Sequence, residues 1–138
     1  MAKYLEPFDD TKEIFNEAIT KANLDLNVTF KILVDNRQKD IYRVFKANDL
    51  IKHMTNNDVV IVINETIYDK LTMEQKIMVT EESLAGVHYD NEKEKVIITK
   101  GDVVTYSGLL RKYGYDKYEV LRESIKTLYN AEKEEELV

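Results

Sequence analysis

The run VVIVIN, residues 59–64, constrains this chain more than any other stretch. Its five consecutive aliphatic side chains, on an extended backbone, point alternately to the two faces of a sheet, so both faces must be covered. Such a strand belongs in the middle of a sheet with the other elements arranged around it.

The flanking segments supply those elements. VTFKILV, 28–34, alternates well enough for a strand, DNRQ ends it, and DIYRVF, 40–45, reads as its hairpin partner. Upstream, Asp9, Asp10 and Thr11 each offer a cap for a helix on which Ile14, Phe15, Ala18, Ile19 and Ala22 recur at helical spacing. NDLIKHM reads as a short helix or turn capped by Asn48, with Leu50, Ile51 and Met54 facing inward. After the central strand, Tyr68 and Leu71 close a short segment, and Thr72 with Gln75 forms a capping box opening a helix from Met73 to about Ala85. On that helix Ile77, Glu81 and Ala85 share one line, with Met78 and Glu82 on the next, so a carboxylate interrupts a row that otherwise looks inward.

VHY and KVIIT form a second hairpin around DNEKEK. Beyond it, Gly101 and Asp102 precede a helical segment whose stripe of Val103, Tyr106, Leu109 and Leu110 ends at Gly114. Asp116 and Glu119 repeat the capping-box pattern, and Tyr118, Leu121, Ile125 and Leu128 carry an apolar line along the last helix. AEKEEELV reads as a solvated or frayed acidic tail. The expectation is an α+β fold, a small mixed sheet packed with helices, forming one domain over residues 1–130 with a tail over 131–138.

Charge and composition narrow the function classes. Against 26 acidic residues stand 20 Lys and Arg, a formal charge of -6, which disfavours nucleic acid because non-specific binding there draws on basic groups displacing counterions. The absence of cysteine removes disulfides, thiolate nucleophiles and cysteine-ligated metal centres. MAKYLEPFDD lacks the cationic and apolar order of a signal segment, and no apolar run reaches the roughly 18 residues of a membrane span. The reading is a soluble protein with no membrane partner. Of nine tyrosines, Tyr106, Tyr113, Tyr115, Tyr118 and Tyr129 gather in the C-terminal part. Tyr118 lies on the apolar line, which leaves Tyr113, Tyr115 and Tyr129 as candidates for an interface, because tyrosine offers large contact area with a wet hydroxyl.

Glu81, Glu82, His88 and Asp102 have the chemistry for a hard cation or a weak transition-metal site. Against that, adjacent helical residues diverge by about 100 degrees, which hinders joint coordination. The structural alternative makes Glu81 and Glu82 surface or cleft carboxylates and His88 a hydrogen-bonded strand residue, and His53 reads the same way. Ser83, Ser107 and Ser124 lack a nucleophile elbow, and Gly101 and Gly114 are isolated, so no phosphate-cradling loop is formed.

Two stretches, VVIVINETIYDKLTMEQKIMVTEE and the later GDVVTYSGLLRKYG, resemble the zincin-like metallopeptidases of bacteriophages and mobile elements over about residues 10–114. In zincins an HExxH helix offers two imidazoles to one zinc, its glutamate accepts a proton from the bound water, and a later element supplies a third ligand. The resemblance puts the first histidine at Glu81, the glutamate at Glu82 and the second histidine at Ala85, with the later histidine and aspartate at Gly101 and Asp102. It therefore implies a zincin-like scaffold that keeps the glutamate and the aspartate and has lost both HExxH histidines and the third ligand, leaving no catalytic residue, metal or cofactor.

The expectation that follows is a catalytically inactive metallopeptidase-like phage protein acting through protein–protein binding, as a virion component or a modulator of a host factor. Its partner would be another protein, viral or host, with self-association open, and its location the host cytoplasm or the virion. The competing readings are a metal-dependent hydrolase with a rebuilt site and a nucleic-acid-associated accessory protein.

Overall fold

A computed structural model describes residues 4–98 and 112–137. The chain runs α1 (Asp9–Lys21), β1 (Phe30–Val34), β2 (Tyr42–Lys46), α2 (Asp49–Thr55), β3 (Val59–Ile63), α3 (Glu65–Asp69), α4 (Met73–Ala85), β4 (Val87–Asp90), β5 (Lys95–Ile98) and α5 (Tyr115–Leu137). It is an α+β protein with a small mixed sheet. The apolar run forms the centre of that sheet, in the order β1-β3-β2. Val59, Ile61 and Ile63 are completely buried and Val62 nearly so, while Val60 on the second face is half-buried.

The expected hairpin between β1 and β2 does not form. β3 lies between them, parallel to β1 with Ile32 opposite Ile61, and antiparallel to β2 with Val44 opposite Ile61. The reason is in the side chains: β3 is apolar throughout and gains most from a neighbour on each side, whereas Lys31, Arg43 and Lys46 suit the outer strands, where charge meets water and discourages further pairing. The β1–β2 connection is fastened to the end of β3. The Gln38 side-chain amide donates to the Val62 carbonyl at 2.9 Å, and Asn64 donates from its side chain to the Gln38 carbonyl at 3.0 Å. Asn64 also caps α3, its side-chain oxygen accepting from the Ile67 amide.

Three helices cover the sheet and each other. Phe15 and Ile19 of α1, Met78, Val79 and Leu84 of α4, and Tyr118 and Leu121 of α5 join β3 in one core, with Tyr68 of α3 beneath Phe15 at 6.1 Å between ring centroids. Complete burial of an aliphatic side chain such as Ile61 contributes about 1.5–3 kcal/mol. The hairpin of β4 and β5 forms as expected, Val87 opposite Ile98 and Asp90 opposite Lys95. Its turn is held by Asp90, whose Oδ1 accepts from the amides of Glu92 and Lys93.

Other expectations change in detail. None of Asp9, Asp10 and Thr11 caps α1; the N-cap is Phe8, and its amide donates at 2.8 Å to the carboxylate of the buried Glu65, so a distant acid takes up a donor at a helix start. Leu50 and Met54 do not face inward, being 66% and 73% exposed on α2. Asp116 lies in the first turn of α5 rather than before it, because Gly114, at φ 86°, turns the chain immediately upstream of Tyr115. The acidic stretch from residue 131 continues α5 as helix to Leu137, and Glu132 pairs with Lys70 beside α3. The stripe expected from Val103 to Leu110 lies outside the described residues.

Candidate functional site

The helix of interest, α4, starts where the sequence placed it. Thr72 accepts from the Gln75 amide and the Gln75 side chain accepts from the Thr72 amide, both at 3.2 Å, completing the capping box. Met78, Val79, Thr80, Ser83 and Leu84 form its buried side. The line of Ile77, Glu81 and Ala85 is not an inward row; Ile77 is 37% exposed and the other two are half-buried at the rim. There the helix flank faces β2 and the start of α5.

Both glutamates are engaged at that rim. The two oxygens of Glu81 accept from the Lys112 ammonium at 3.0 and 3.2 Å. Oε1 of Glu82 accepts from the Tyr42 hydroxyl at 2.9 Å, and the Arg122 guanidinium stands 3.7 Å from the same oxygen. The carboxylates are largely sheltered, 19% and 14% exposed, whereas the Lys112 and Arg122 side chains are 57% and 70% exposed. The pairing with Glu81 raises the Lys112 ammonium above its ordinary range, and Lys112 also lies 5.1 Å from the centre of the Tyr113 ring.

Two phenols complete the wall. Tyr113 stands edge-on to Tyr118 at 6.0 Å. Burial, then the Glu81 carboxylate, pushes the Tyr113 phenol up. Tyr118 is 6% exposed, and its buried hydroxyl has no hydrogen-bond partner among the described residues. Burial, then the charges of Glu82, Tyr113 and Glu81, raises its pKa well above the ordinary phenol value, so the hydroxyl stays protonated.

Of the residues singled out from the sequence, Glu81, Glu82 and Tyr113 come together here. His88 is exposed on β4, paired across the hairpin with Ile97 and next to the inward-facing Val87. Asp102, with Gly101, lies outside the described residues. Tyr115 is 72% exposed, while Tyr129 is half-buried with the Lys133 ammonium 5.8 Å from its ring centre. Sequence reasoning missed Tyr42, Lys112 and Arg122. Tyr42 sits on a strand whose partner was misassigned, and the two cations are separated from the glutamates by long stretches of chain with no spacing rule to connect them.

Zinc does not suit this donor set. Ala85, one turn beyond Glu81, has no donor atom, Glu81 is bound to an ammonium, and among the described residues no three His, Asp or Glu side chains are placed to hold a metal ion. One protein-family profile, described as "Putative phage metallopeptidase", matches residues 3–132, nearly the whole chain. The chain belongs to that family. In this member of the phage metallopeptidase family the capped α4 lies beside a mixed sheet, and its flank carries two acids, two basic side chains and three phenols. No curated protein and no solved structure shows significant similarity to the chain. Among the described residues no helix is long and apolar enough to cross a membrane.

Proposed function

We propose that this member of the phage metallopeptidase family performs no peptide hydrolysis and works by binding another protein, viral or host, either in the host cytoplasm or as part of the virion. The observation that carries the reading is the state of Glu81. A zincin helix needs an imidazole there and another one turn later, and this chain has a carboxylate held through both oxygens by Lys112, followed by Ala85. Glu82 is the one residue matching the HExxH glutamate, yet it lacks the neighbouring ligands that would present it with an activated water.

The binding half of the proposal rests on the exposed surface of α5. Tyr115 and Val120, 72% and 60% exposed on α5, offer apolar contact area beside Lys117 and Arg122. Tyr113, packed on Tyr118, is a weaker candidate for contact than Tyr115. A screen of mixed peptide substrates with added zinc, run beside capture from phage-infected host lysate, tests both halves. No cleavage, together with a captured protein lost in Tyr115→Ala, is the expected result. Cleavage abolished by Glu82→Gln would overturn the non-catalytic reading, and unchanged capture by Tyr115→Ala would remove α5 from the interface. Light scattering over a concentration series comes first, since a symmetric dimer would bury the same surface.

A further inference from the structure

We infer that the outer face of α5 is the surface on which two copies of this chain pair, antiparallel about a two-fold axis, with the acidic first half of the helix in one copy against the basic second half in the other. The inference needs no foreign partner and no metal chemistry, so it goes beyond the function proposed above.

Two stripes on α5 have different duties. Tyr118, Leu121, Ile125 and Leu128 pack into the core. On the opposite side Asp116, Glu119, Glu123, Lys126, Asn130 and Lys133 recur in steps of three and four, and every one is exposed. Within the described residues the ion pairs made by α5 use Lys117, Arg122 and Glu132, with Glu74, Glu82 and Lys70, and none draws on that stripe. Nor does the helix satisfy these charges itself. Glu119 and Glu123 stand one turn apart, as do Arg122 and Lys126, and like charges at that spacing repel. The helix dipole does not account for the order either. Its effect fades within the terminal turns, whereas Glu123 and Lys126 lie well inside the helix and the last turn holds no basic residue.

The stripe is complementary to its own reversed copy. With the two-fold axis crossing between Ser124 and Ile125, Glu123 of one copy lies opposite Lys126 of the other, Asp116 opposite Lys133, and Glu119 opposite Asn130, and the symmetry repeats each contact. A parallel pair would instead set acid on acid and base on base. An open groove of about 820 Å³ runs beside the acidic half, lined by Asp116, Glu119, Val120 and Glu123 of α5 together with Lys70 and Gln75, and it gives the incoming helix a seat. Val120, 60% exposed in that groove, adds apolar contact.

The size of the contact sets its strength. The stripe from Asp116 to Lys133 is about 25 Å long. A single helix pair of that length covers less than the roughly 800 Å² per partner of a stable interface, so the dimer is weak and forms at high concentration. Its exposed charge pairs are loosened by salt.

Sedimentation equilibrium of the purified full chain, from about 10 to about 500 μM, suits an association of this class. The weight-average mass should climb from that of one chain toward that of two, and the association should weaken several-fold in about 0.5 M sodium chloride. Glu123→Lys and Lys126→Glu alter exposed residues, should leave the circular dichroism of the fold unchanged, and should each hold the chain monomeric. Their equimolar mixture should pair again, as should the double variant Glu123→Lys/Lys126→Glu, since each restores opposite charges across the axis. A chain monomeric at every concentration, single variants that associate like the parent, or exchanged charges that fail to restore pairing would each overturn the inference. None of these results bears on peptide hydrolysis or on capture of another protein, so the function proposed above stands or fails by its own experiment.

Discussion

Two regions of this molecule handle buried polar groups in opposite ways. At the end of the sheet, Gln38, Asn64 and Glu65 are each less than a tenth exposed, and all three bond to backbone: Gln38 to Val62, Asn64 to Gln38 and Ile67, Glu65 to Phe8. On the α4–α5 flank, two sheltered carboxylates are matched by exposed cations, and the Tyr118 hydroxyl is matched by nothing among the described residues. Backbone partners are fixed by the fold and cannot be exchanged. Side-chain cations at the surface can be. The first arrangement secures architecture, and the second leaves the pairing of its acids to exposed side chains.

Substitutions should separate the two regions by the size of their effect on stability. Ile61→Asp places an unpaired carboxylate in the middle of β3 and should cost several kcal/mol, enough to leave the chain largely unfolded by circular dichroism. Near-native melting of that variant would refute the central strand. Asn64→Ala removes both a cap and a buried amide bond, so denaturant unfolding should show a loss of about 2 kcal/mol.

A smaller effect depends on pH. Tyr68 is fully buried, its hydroxyl 2.8 Å from that of Thr80, and burial pushes its pKa up from 10.0 to about 12. The folded state thus holds the phenolic proton more tightly than the unfolded chain does. Stability from this group is complete below pH 10 and is lost as pH rises through the folded value, by about 1.4 kcal/mol per pH unit at the steepest. Tyr68→Phe should flatten part of the alkaline decline in urea unfolding measured from pH 9 to 12; an unchanged slope would show that other phenols carry it.

The smallest effect is expected on the flank. Tyr118→Phe deletes a hydroxyl without a partner and keeps the ring, so stability should stay within about 1 kcal/mol of the parent, on the stabilising side. A loss above that would mean the hydroxyl is satisfied in solution, and the contrast between the regions would narrow.

Much of the architecture was legible because it rests on local chemistry. Thr72 and Gln75 announce α4, five aliphatics in a row announce β3, and DNEKEK marks the turn between β4 and β5. Strand order was not legible, since β2 alternates equally well beside β1 or β3 and the choice is made by which strand most needs two neighbours. The inward placement of Leu50 and Met54 failed because α2 spans only seven residues and lies away from the core. At the site, Glu81 and Glu82 could be found from their place on a helix that resembles a zincin's. Their partners could not, because Tyr42, Lys112 and Arg122 reach them only through the packing of β2 and α5 against α4. Tyr118 was correctly placed on an apolar line, but its spacing gave no sign that the hydroxyl would be stranded.

Metal content after equilibrium dialysis tests most directly the proposal that Glu81 and Glu82 hold no zinc. Purified chain dialysed against micromolar zinc and measured by elemental analysis should retain far less than one equivalent, with no difference between the parent and Glu82→Gln. Retention of about one zinc per chain, lost in Glu81→Ala or Glu82→Gln, would contradict the account.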